Sequence, residues 1–152
     1  MSLDGSYDCA NIFAKVLRGE APAVKVFEDD EVLVMMDIFP QSQGHCLVVP
    51  KISESRNLLD FPAARLGALF ERVQRVARAV VAALAPDGVI ITQFNGAAAG
   101  QTVFHLHVHV IPRYGNLPLE KHHQGRMADM DVLKQQAARI AAALDESTLR
   151  SN

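Results

Sequence analysis

The chain has 152 residues, 49% of them hydrophobic, enough for one substantial core and too few for two ordinary domains. Its 15 basic and 17 acidic residues give a formal charge of −2, which argues against a nucleic-acid groove or an anionic membrane surface as the main partner. No apolar run approaches the roughly 20 residues that span a bilayer, and the N-terminus lacks the basic start and apolar stretch of a secretory signal, so a cytoplasmic protein is expected.

Cys9 comes first in chain order and its only companion, Cys46, is far away, so neither a redox pair nor a metal pair is indicated and both are expected as thiols. Asn11 can cap a helix over Ile12 to Arg18, with Gly19 supplying a left-handed exit. The runs Val24 to Phe27 and Val32 to Met36 flank Glu28, Asp29, Asp30 and Glu31, which predicts a hairpin with a charged tip and places Asp37 at a strand end. Pro40 to Gly44 reads as a loop. Cys46 to Val49 reads as a third strand, closed by Pro50, with His45 at its entrance.

Pro62 fits a first helical turn, and Leu66, Leu69, Phe70, Val73, Val76, Val80 and Leu84 recur at spacings of three and four, which predicts one long helix. Arg65, Arg72, Arg75 and Arg78 fall on its polar side and are expected to be solvated. Ala85 to Gly88 break the helix. Val89 to Phe94 then reads as a strand, Asn95 to Gly100 as a small-residue loop, and Val103 to Ile111 as a strand ended by Pro112. Val132, Leu133, Ile140 and Leu144 give helical spacing to the tail from Asp131 to Leu144.

Strand alternation over Val103 to Ile111 puts His105, His107 and His109 on one face and Phe104, Leu106, Val108 and Val110 on the other. Three imidazoles in an apolar register are hard to explain by packing, because each carries two nitrogens that need partners. Two chemistries compete, a metal site with histidine ligands and nucleophilic or acid–base catalysis. The adjoining loop Asn95 to Gly100, with Gln101 and Thr102, favours the second, since small residues let backbone amides approach anionic oxygens and a hydroxyl adds a donor.

The run Gly100, Gln101, Thr102, Val103, Phe104, His105, Leu106, His107, Val108, His109, Val110 resembles the signature of the histidine triad hydrolases and transferases. Asn11 to Glu20 resembles the family's first helix, and Asp37 to Pro40, Gly44, His45 and Val48 to Lys51 resemble its central segment, so the similarity covers roughly residues 7 to 113.

The resemblance implies an α+β fold: an antiparallel sheet of about five strands, one long helix and short terminal helices. It also implies a homodimer. By the same resemblance, His107 is the nucleophile toward the α-phosphorus of a purine nucleotide, forming a nucleotidyl-histidine that water hydrolyses. His105, His109 and His45 would position it or bond phosphoryl oxygens, and Thr102 would stand near the leaving group. Asn95, Gly100 and Gln101 would contact phosphate. Ile12, Phe13, Val16 and Met35 would surround the base, Ile38 would line the same pocket, and Asp37 would bind the ribose hydroxyls.

No cofactor or metal is required by that mechanism. Some relatives hold a structural zinc partly through a cysteine pair in the first helix, where this chain has Asn11 and Ala14, so no structural zinc is expected. Arg113, Tyr114, Lys121, His122 and His123 follow the similar region; they are leaving-group contacts or solvated side chains, the adjacent histidines being expected in solvent. The alternatives are a metal-dependent hydrolase with three histidine ligands and a nucleotide-binding interaction protein with negligible turnover.

Overall fold

Local signals near the N-terminus are realised closely. In the computed structural model, which describes residues 3–120 and 127–150 (for 146–150 the backbone only), helix α1 spans Ile12–Leu17. The Asn11 side chain accepts from the Ala14 amide at 2.9 Å, satisfying one of the helix's unpaired donors, and Gly19 takes a left-handed φ of +78° at the exit. Strands β1 (Lys25–Glu28) and β2 (Val32–Met36) form the expected hairpin. Its turn is closed by Asp29, whose carboxylate accepts the amides of Glu31 and Val32.

The arginines of the long helix are not simply solvated. Helix α2 (Leu66–Leu84) sends the Arg72 guanidinium to the Asp29 carboxylate at 2.7 Å and Arg65 to Glu31 at 2.8 Å, pinning the hairpin tip. Arg75 lies over the Phe27 ring.

Strands β3 (Cys46–Pro50), β4 (Gly88–Thr92) and β5 (Val108–Arg113) complete a five-stranded sheet in the order β1-β2-β3-β5-β4. Every neighbouring pair is antiparallel. Both faces of the central strands are covered, which explains why β2 and β3 read as unbroken apolar runs. On one face Val34, Val48, Val108 and Val110 pack against Leu69, Val73, Val76 and Val80 of α2 and against Leu133, Ile140 and Leu144 of helix α3 (Met130–Arg150). On the other, Leu33, Met35, Leu47 and Val49 pack against Val16, Phe13 and Leu17 around α1.

Several boundaries differ from the sequence reading: β4 stops at Thr92 rather than Phe94, β5 runs on through Pro112, which pairs with Val89, to Arg113, and two shifts are larger. Helix α3 continues to Arg150, because Asp145 to Arg150 contains no breaker although its polar residues lack apolar spacing. More consequentially, β5 begins at Val108 rather than Val103. Residues 103–105 bend instead of pairing, and the Leu106 amide donates to the Ser55 carbonyl outside the sheet. Alternation of polar and apolar residues persists through this bend and so mimics a strand. Among the described residues no helix is long and apolar enough to cross a membrane.

Candidate active site

The histidines reach the site from two strands and a bend. Strand β3 enters at His45 and pairs with β5, where Leu47 faces His109 across the ladder. Buried packing on both sides fixes these backbones, so the imidazoles have little freedom; His45 and His109 are fully buried.

The hydrogen bonds determine where the protons sit. The Gln41 amide donates to His45 Nδ1 at 3.1 Å, so His45 carries its hydrogen on Nε2. That nitrogen lies 2.9 Å from His109 Nδ1, which must therefore accept, leaving the hydrogen of His109 on Nε2. The Asp37 carboxylate approaches His45 Nε2 at 3.5 Å and also accepts the Phe39 amide. His107 Nδ1 is 2.7 Å from the His105 carbonyl, which can only accept, so Nδ1 carries the hydrogen and Nε2 the lone pair. The Phe13 and His107 rings pack near-perpendicular, with centroids 4.8 Å apart and planes at 88°.

His105 departs from the expected common face. It sits in the bend before β5, with Nε2 at 2.8 Å from the Pro50 carbonyl and Nδ1 at 2.6 Å from the Tyr7 hydroxyl. Burial lowers its pKa below the usual histidine value, with the Pro50 carbonyl opposing that only in part. Both nitrogens are thus turned onto protein, and the three triad histidines do not converge as ligands for one ion. Among the described residues, the side chains whose donor atoms gather closely enough for a cation are Asp37, His45 and His109, and the direct bond between the two imidazoles already occupies those atoms.

A cavity of about 210 Å³ opens beside His107 and His109. Ile12, Phe13, Val16, Met35, Asp37, Ile38 and Thr102 all line it, as does Val103. Asn95, Gly100 and Gln101 do not, because their polar groups serve the loop itself. Asn95 accepts from Leu58 and exchanges bonds with Gln93. The amides of Ala99, Gly100 and Gln101 turn back on the carbonyls of Gly96 and Ala97. The Gln101 carboxamide donates to the Arg56 carbonyl at 2.6 Å and accepts from the Gly96 amide at 2.8 Å. The small-residue loop is therefore a braced turn whose last amides are paired within it.

The family model for the HIT domain matches residues 18–116. The chain belongs to the HIT, or histidine triad, family. A HIT-like protein of Bartonella henselae, solved with an unknown ligand, is 45% identical and superposes with a TM-score of 0.86 over 91% of this chain and 99% of that one. A zinc-bound histidine triad protein of Mycobacterium smegmatis is 34% identical, with a TM-score of 0.79 over 93% and 97% of the two chains. The adenylylsulfatase HINT3 of Arabidopsis thaliana is 41% identical over 106 residues, 70% of this chain; the match spans about half (52%) of that protein.

Within this HIT chain the first helix has no thiol to offer a zinc ion. Asn11 is committed to the cap and to the Asp8 carbonyl, and Ala14 is buried without a donor. Tyr114 donates to the Gln43 carbonyl at 2.7 Å, so its hydroxyl is anchored to the loop before β3. Lys121, His122 and His123 lie outside the described residues. Tyr7 and Phe94, which touches the His109 ring edge-on, escaped the sequence reading: nothing in the spacing of either points to a histidine distant in sequence.

Proposed function

We propose that this HIT protein cleaves a phosphoanhydride or phosphoramidate bond at the α-phosphate of a purine nucleotide, through a nucleotidyl-histidine on His107. Membership of the family, with relatives named for hydrolysis, supports a hydrolase in general. The observation that carries the finer reading is the 2.7 Å bond from His107 Nδ1 to the His105 carbonyl. It gives Nε2 the lone pair at the wall of the cleft, the form of imidazole that is nucleophilic near neutral pH.

In the first step the Nε2 lone pair forms the bond to phosphorus while the bond to the leaving group breaks, the leaving group departing with its electron pair beside the Thr102 hydroxyl. The hydrogen on His109 Nε2 bonds a phosphoryl oxygen where negative charge accumulates. Water then attacks phosphorus and gives up a proton to solvent, the P–N bond returns its electrons to Nε2, and the nucleoside monophosphate leaves. Ile12, Phe13, Val16 and Met35 give the base an apolar slot, Ile38 closes it, and the Asp37 carboxylate accepts from the ribose hydroxyls.

We further propose that the working form is a homodimer joined through β4. That strand is one of the sheet's two edges, its Ile90 and Ile91 are 36% and 42% exposed, and exposed apolar edges invite pairing.

The test is single-turnover hydrolysis of an adenosine phosphoramidate, alongside a dinucleoside polyphosphate, by wild type and His107→Ala with chelator present, followed by mass analysis of the quenched protein. The expected result is chelator-resistant turnover, an adenylyl adduct on the wild type, and a loss on the order of a thousandfold or more in the variant. Turnover abolished by chelator, or retained by His107→Ala, would discard the covalent mechanism.

A further inference from the structure

We propose that Tyr7 is a positioning residue for the nucleophile, acting through His105; the inference rests on the reading of His107 given above. The His107 ring is oriented by a carbonyl that belongs to His105, and His105 lies in the bend outside the sheet ladder, where strand pairing does not fix its backbone. Two sets of bonds fix it instead: the Leu106 amide, in the same peptide unit as that carbonyl, donates to the Ser55 carbonyl, and the His105 side chain is tied at both ring nitrogens. The imidazole is strung between the Pro50 carbonyl at the end of β3, 2.8 Å from Nε2, and the Tyr7 hydroxyl, 2.6 Å from Nδ1.

The direction of each bond is forced. The Pro50 carbonyl accepts only, so His105 Nε2 carries the hydrogen, Nδ1 accepts, and the Tyr7 hydroxyl donates. The Tyr7 ring also packs edge-on to the imidazole, with centroids 5.7 Å apart.

The segment bearing Tyr7 is itself anchored to this bend. The buried Arg56 guanidinium donates to the Ser6 carbonyl at 3.0 Å and lies over the Phe104 ring, 4.8 Å from its centroid, so the neighbours of Tyr7 and of His105 share one cation. Hydroxyl, imidazole and carbonyl thus form a strut from the N-terminal segment to the proton on His107 Nδ1. Removing the hydroxyl leaves the buried His105 Nδ1 without that donor, and the ring regains freedom to turn and shift the carbonyl. A nucleophile that loses its fixed acceptor samples the other tautomer, in which Nε2 is protonated and cannot attack.

The experiment compares wild type with Tyr7→Phe on the full chain, using imidazole nitrogen NMR of ¹⁵N-histidine protein together with adenosine phosphoramidate kinetics. In wild type, His107 is expected as a single tautomer with hydrogen on Nδ1. In Tyr7→Phe a second His107 tautomer is expected, with kcat lowered about tenfold, the effect of roughly one hydrogen bond, and KM changed less than about twofold because the hydroxyl is not in the nucleotide cleft. A His107 spectrum identical to wild type overturns the proposal whatever happens to activity or melting temperature, since a merely structural Tyr7 would alter only the latter. If wild type turns over no nucleotide, the functional reading fails by itself, and the tautomer spectra alone decide the role of Tyr7.

Discussion

Burial makes His105 reluctant to take a proton, so the folded protein binds one less readily than the unfolded chain does near its ordinary value of about 6.5. The unfolded state therefore binds more protons as pH drops through that value, and the stability due to neutral His105 is present above it and lost below. Melting temperature should fall between about pH 7 and pH 5, and His105→Gln should flatten part of that fall while starting from a lower plateau. An unchanged slope in the variant would assign the acid sensitivity elsewhere. At this scale the sequence was readable where the family resemblance supplied the grouping: Phe13 and Val16 of α1, Met35 of β2 and Asp37 beyond it all line the one cleft. It was unreadable where a partner is remote, as for Tyr7 and His105, 98 positions apart. Gln101 shows a third case, since its carboxamide braces its own loop, a role that its place in the motif does not announce.

Elements built on local chemistry were legible nearly to the residue, as the Asn11 cap and the Asp29 turn illustrate. The start of β5 was not, because the histidine alternation continues into residues whose backbone bonds go to Ser55 rather than to a strand. The entrance to β3 offers a direct test of how tightly these elements meet. Gly44 has φ +89°, and a Cβ there would collide with Leu84 Cδ1 and stand 3.3 Å from Pro112 Cγ. Gly19 has a similar φ of +78° but open space around it. Gly44→Ala should therefore cost about 2 to 3 kcal/mol, combining backbone strain with overpacking, whereas Gly19→Ala should cost only about 1 kcal/mol. Urea denaturation of the two variants measures the difference; equal losses would mean that the Leu84 contact yields without penalty.

Across the whole molecule, two apolar clusters line the two faces of the sheet, and α3 contributes Leu133, Ile140 and Leu144 to the one shared with β3, β5 and α2. The tail's spacing announced a helix but not its destination, since an amphipathic face says only that something apolar must cover it. The C-terminal segment is also tied to the cleft: the Glu120 amide donates to the Gln41 carbonyl and the Ala128 amide to the Ile38 carbonyl, on either side of Phe39. Edge strand β4 is where the proposed dimer is tested. Ile91, paired with Val110, stands half exposed on the helix face. Wild type should sediment as a dimer and Ile91→Glu as a monomer, because a carboxylate buried across an apolar contact is strongly unfavourable. A variant that stays dimeric would move the interface away from β4.

The chain of bonds from Gln41 through His45 to His109 begins at a main-chain amide, and a peptide N–H has no way to become an acceptor. That single fact fixes the direction of both bonds. Were His109 to take the other tautomer, its Nδ1 hydrogen would face the hydrogen on His45 Nε2, and His45 could not yield because its own Nδ1 is held as an acceptor by the Gln41 amide. The relay thus presents His109 with its hydrogen on Nε2, the form that the proposed reaction needs to bond a phosphoryl oxygen.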